Sequence, residues 1–193
     1  GDQAFRNATK PIGPFYTREE AETLRIEKDY EVVEDSGRGY RRVIASPEPK
    51  RIVEIETVKT LIDNNNIVIT VGGGGIPVIE EEGKLKGVAA VIDKDLASEK
   101  LAEDIDADIL LILTAVEKIF INFGKPDQKG LDQVRVDEIK RYAKEGHFAP
   151  GSMLPKVLAG TKFAESKPKR KTIITSLDKA EEALKGLSGT IIK

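Results

Sequence analysis

The chain of 193 residues contains no cysteine. That absence removes disulfide frameworks, thiolate nucleophiles and cysteine-based zinc sites together, and it favours a reducing compartment, the cytoplasm. Long apolar runs are also missing: the longest, at 67–71 and 109–113, fall far short of the ~20 residues a membrane-spanning helix needs. The opening GDQAFRNATK has no basic stretch followed by an apolar one, so no secretory leader is expected. Neither sign of charge dominates. The 31 Lys and Arg nearly balance 33 Asp and Glu, for a formal net charge of -2, so no broad field draws the chain to DNA, RNA or a membrane. Internal repeats and low-complexity tracts are absent, which argues against a solenoid. No Walker-type loop ending in Lys-Ser or Lys-Thr occurs, nor a kinase-type His-Arg-Asp loop.

What is present suffices for one real core, with 39% hydrophobic residues. Residues 1–50 are rich in Pro, Gly and charge and read as a small, surface-lying unit, with a helix over 17–28 capped by Thr17 and Glu20. Residues 51–193 read as an α/β domain. Helices are expected at 54–63, 96–105, 136–145, 155–165 and 178–185, and a hairpin turns at Gly83. Strands are expected in IVITV at 67–71, ADILLILTA at 107–115, KTIITS at 171–176 and the final GTIIK. The most apolar of these, ADILLILTA, suits a central strand covered on both faces. The alternation predicts a three-layer α/β/α sandwich with a mostly parallel sheet.

Four features carry possible chemistry. Gly72, Gly73, Gly74 and Gly75 directly follow the strand expected at 67–71; they either let a phosphate approach backbone amides or simply make a tight turn. Asp93, Lys94 and Asp95 stand at a helix start, where Lys94 adds charge to an anion-welcoming end. The carboxylates there would orient the ammonium, hold magnesium through water, or only cap the helix. In PGSMLPKVLAG, Ser152 and Pro155 precede or open a helix with Lys156 in its first turn, repeating the arrangement. Two lysines converging on one polyphosphate are what phosphoryl transfer requires, because its transition state is stabilised by positioned cations and amides. In TKPIGPFY, prolines stiffen the chain around Lys10, or the segment is only a proline-rich loop. The basic run KPKRK at 167–171 reads as a solvated connection, and the single histidine, His147, as structural.

Taken in order, NATKPIGPFY, EDSGRGYRRVIASPEP, VGGGGIPV, VIDKDLASEKLA, LTAVEKIFINFG and EGHFAPGSMLPKVLA resemble the signature blocks of carbamate kinases, within the amino acid kinase superfamily. The resemblance runs across essentially the whole chain. It implies the reversible reaction of ATP and carbamate to ADP and carbamoyl phosphate, often run toward ATP in arginine breakdown, with Mg2+ accompanying the nucleotide and no protein side chain assigned as a metal ligand. By matching motif, Lys94 and Lys156 contact the transferring and nucleotide phosphates, Asp95 holds the lysines in place, and Lys10 reaches in from the protruding subdomain. Gly73 and Gly74 lie near the nucleotide; Thr114, Ala115, Val116 and Asn122 line the nucleoside pocket, with Ser152 and Met153 beside the nucleotide. A homodimer is the usual family assembly.

Two departures stand out. Ala8 occupies a position where the family usually has proline. The amino-terminal strand with its Gly-Gly-Asn loop, and a second glycine-rich loop for the carbamate side, do not occur in these residues, so the chain alone is expected to be inactive. The competing readings are another kinase of the superfamily, acting on acetylglutamate or glutamate, and a noncatalytic nucleotide-binding or assembly module.

Overall fold

The structure is a computed structural model that describes residues 2–35 and 37–193. Its chain sorts into two units: residues up to Glu48 join Gly73–Asp93, while Pro49–Gly72 join Lys94–Lys193. Residues 73–93 thus group with the opening unit and not with the residues that flank them.

In the first unit, strands β1 (Lys10–Tyr16), β2 (Val32–Glu34) and β3 (Tyr40–Ile44) form an antiparallel sheet in the order β1-β3-β2. Pro11 and Pro14 therefore lie in a strand rather than a loop. Proline cannot donate to a ladder, and β1 is an edge strand whose register with β3 shifts between Ile12 and Tyr16, so the missing N–H groups cost little. Helix α1 (Arg18–Lys28) starts with the expected capping box: Glu20 N–H donates to Thr17 Oγ1 at 3.2 Å, and Thr17 N–H donates to Glu20 Oε2 at 2.7 Å. Strands β4 (Val78–Glu81) and β5 (Lys84–Gly87) make the hairpin around Gly83, which sits at φ +73° as such a turn requires.

The second unit contains α2 (Ile55–Asp63), α3 (Lys94–Asp104), β6 (Ile109–Thr114), β7 (Ile119–Ile121), β8 (Lys129–Leu131) and β9 (Gln133–Val134). Then follow α4 (Val136–Lys144), α5 (Met153–Ser166), β10 (Lys171–Ser176), α6 (Ala180–Leu184) and β11 (Thr190–Ile192). The principal sheet runs β6-β10-β11-β9; β6 with β10 and β11 with β9 are parallel, and β10 with β11 is antiparallel. This is an α/β sandwich with a mixed, mostly parallel sheet. Both faces of β10 are covered, because Ile173 and Ile174 point in opposite directions and are 1% and 0% exposed. Phe163 and Val157 of α5, Ile139 of α4 and Ile112 of β6 complete the core with Ile174 and Ile192.

Contact between α5 and the sheet is unusually close. Thr172 Oγ1 donates to the Gly160 carbonyl at 2.7 Å, and a Cβ at Gly160 would meet Thr172 Cγ2 at 2.7 Å. Only glycine fits there.

Two expectations fail in this unit. Residues 67–71 form no strand, and Ile67 and Ile69 are 98% and 96% exposed. An apolar, β-branched run becomes a strand only when another strand pairs with it, and no described strand does so. Consistently, β6, expected at the centre, is an edge strand bonded only to β10.

Candidate active site

Helix α3 begins at Lys94, two residues earlier than its pattern predicts, so Lys94 and Asp95 occupy its first turn. A carboxylate is favoured at that end by the helix dipole. Asp95 is buried and accepts from Lys156 Nζ with both oxygens, at 3.3 and 3.1 Å. Lys156 lies in the first turn of α5, whose N-cap is Ser152, and its side chain is 13% exposed against 10% for that of Asp95. Pairing at this burial removes most of the lysine's rotamer freedom, so the ammonium is placed before any ligand arrives. Lys94 stands exposed at the helix start. The structure thus brings Asp95 together with Lys156.

A cavity of about 250 Å³ opens beside the start of α5. Its walls include Thr114 at the end of β6, Ala115 and Val116 after it, Ser152 and Met153, and the aromatic rings of Phe120, Phe123 and Phe148. An apolar, aromatic slot with polar groups at its rim suits a flat heterocycle. Asn122 reaches this region through its backbone: its N–H donates to His147 Nδ1 at 3.4 Å, while its side-chain amide donates to Asp127 at 2.7 Å. Asn122 sits at φ +53°, a left-handed conformation that asparagine tolerates, so the loop can bend there. Because Nδ1 accepts, the proton of a neutral His147 resides on Nε2, 3.3 Å from Glu145. The ring also meets Tyr142 edge-on at 5.5 Å. His147 is therefore both structural and a cavity wall; sequence reasoning gave it only the first role. Phe120, Phe123 and Phe148 were missed as lining, although the aromatics in IFINFG and HFAPG were visible.

The remaining expected residues belong to the first unit. Lys10, at the start of β1, forms a close ion pair with Asp93, whose side chain is 8% exposed. Asp93 thus has a role that its place before a helix did not reveal. Gly73 and Gly74 form a turn in which Gly74 takes φ +133° and Gly73 faces open space. Neither is among the described residues lining the cavity.

A divalent cation finds no dedicated seat. Among the described residues no three His, Asp or Glu side chains converge, and Asp93 and Asp95 are already engaged by lysines. No described helix is long and apolar enough to cross a membrane.

The amino acid kinase family model matches residues 12–176. The chain is 59% identical over 191 residues to a carbamate kinase of Clostridium perfringens and 58% identical over 189 residues to one of Thermococcus kodakarensis. These matches take in 99% and 98% of this chain but 61% and 60% of the relatives, so the chain spans about three fifths of their length. A solved carbamate kinase from Giardia lamblia bound to AMP-PNP superposes with a TM-score of 0.86 at 49% identity, covering 99% of this chain and 60% of that one.

Proposed function

The chain belongs to the amino acid kinase family, and from that premise we propose that it is the nucleotide-binding portion of a carbamate kinase, which interconverts ATP plus carbamate with ADP plus carbamoyl phosphate. The observation that carries the reading is Lys156, fixed by Asp95 at the start of α5 beside the aromatic cavity. In the forward reaction a carbamate oxygen forms a bond to the γ-phosphorus while the bond from that phosphorus to the ADP oxygen breaks. Carbamate is already an anion, so no general base is needed. What the step requires is neutralisation of charge spread over the phosphoryl oxygens. Lys156 and Lys94 supply positive charge at the starts of α5 and α3, where unpaired amides add to it. Asp95 orients Lys156, and the cavity holds the base. Magnesium enters with the nucleotide. Action in arginine breakdown in the cytoplasm, and assembly as a homodimer, accompany this reading through family resemblance.

Support for the carbamate acceptor comes from the relatives' names and from the resemblance of the blocks in the opening unit, not from an acceptor pocket. The test is calorimetric titration of the chain with ADP at pH 8. Binding is expected, and Lys156→Met should weaken it about tenfold, as loss of a hydrogen bond to a charged group does. Absence of ADP binding, or indifference to Lys156→Met, would overturn the reading.

A further inference from the structure

Four residues of α3 are buried, and two of them are carboxylates: Asp95 and Glu99. They lie one turn apart on the same side of the helix and face α5. Asp95 meets Lys156; Glu99, 0% exposed, meets Lys162, whose Nζ stands 3.0 Å from Oε2. The other two buried residues of the helix, Ala97 and Ala102, are small. Apolar contact between such surfaces is weakly directional, so α3 could slide along α5 at little cost. Ion pairs are directional. Burying a carboxylate is expensive, and neither oxygen of Glu99 makes a hydrogen bond among the described residues, so the Lys162 contact at Oε2 is an ion pair by distance alone. A packed leucine would stabilise this spot as well or better, so Glu99 earns its place by what it fixes.

We propose that Glu99 and Lys162 are a positioning pair, the second rung of an α3–α5 ladder that sets the register in which Asp95 presents Lys156. Neither residue touches the cavity wall; both act through Lys156. The inference rests on the reading of Lys156 as a ligand of nucleotide phosphate, and it adds residues outside the signature roles to the machinery of that site. Charged groups facing Glu99 are Lys162 from α5 and Glu103 from its own helix, with Lys100 beside Glu103 at 3.6 Å.

The decisive experiment is a double-mutant cycle on ADP affinity at pH 8, where Glu99 is mostly ionised. Glu99→Gln, nearly isosteric, should weaken ADP binding about fivefold in the wild-type background and less than twofold in the Lys156→Met background. Lys162→Met should behave the same way, and Lys162→Arg should restore most of the affinity. An equal loss in both backgrounds, or no loss, overturns the proposal, because a merely structural residue would act without regard to Lys156. Should the chain bind no ADP, the functional reading fails on its own and the ladder is still tested by thermal unfolding. Shifts from Glu99→Gln and Asp95→Asn that combine non-additively support one register-setting unit, and strictly additive shifts overturn it.

Discussion

Asp95 and Glu99 are the same kind of group four residues apart, and their surroundings give them different chemistry. Asp95 is clamped through both oxygens by Lys156. Glu99 is enclosed, and its pKa rises from 4.5 to about 7, chiefly through loss of hydration; Lys162 opposes the rise and neighbouring Glu103 adds to it. A carboxyl whose folded pKa lies above its unfolded value contributes stability that is complete below pH 4.5 and lost as pH climbs through 7. Glu99→Gln cannot ionise. Its melting temperature should therefore gain on that of the wild type between pH 5 and pH 8 by a few degrees, at roughly 2–4 °C per kcal/mol for a chain of this length. Paired thermal scans at the two pH values check this, and a difference that stays flat with pH contradicts the assigned burial. Lys94, Asp95 and Lys156 were legible in the sequence because long, irregular motifs carry them. Glu99 was not: within LASEKLAEDI it looks like any solvated helix charge, and its burial depends on α5, which lies far along the chain.

At the scale of elements, local signals were read well wherever an element is stabilised by its own residues or by a dense apolar pattern. The capping box placed α1, and β10 has the bounds that KTIITS suggested. Reading failed where a distant partner decides. Residues 67–71 have the composition of a strand but no described neighbour, and β1 became a strand despite two prolines because an edge position tolerates them. Gly160 belongs to the same class of hidden dependence. Nothing in VLAGTKF marks this glycine as special, since glycine in a helix interior is ordinarily unfavourable. Its reason is Thr172, which a Cβ would strike at 2.7 Å. Gly160→Ala gains helix propensity but must push α5 away from β10 and disturb the bond from Thr172 to the Gly160 carbonyl. We expect a net loss of about 1–3 kcal/mol, read as a lower urea midpoint with an unchanged slope. A stabilised variant would show that the two elements are free to separate.

For the molecule as a whole, the question is whether nucleotide binding and turnover come apart in this chain. Each unit carries a lysine–aspartate pair of its own, Lys10 with Asp93 in one and Lys156 with Asp95 in the other. On the proposed reading, binding of ADP depends chiefly on the second unit's cavity and Lys156. On that reading turnover needs, in addition, a seat for carbamate or carbamoyl phosphate. The chain spans about three fifths of the length of its carbamate kinase relatives, and Ile67 and Ile69 are almost wholly exposed. A phosphoryl group held from one side is bound but not transferred, because rate comes from cations and amides that surround the transition state, not from affinity for the nucleotide alone. Accordingly, purified chain given ADP and carbamoyl phosphate should form no ATP above the uncatalysed rate in a coupled assay, while the same sample binds ADP in the calorimeter. Turnover abolished by Lys156→Met would instead mean that these residues already build the acceptor side. Binding that survives Lys156→Met with no turnover would shift the reading toward a noncatalytic nucleotide-binding module.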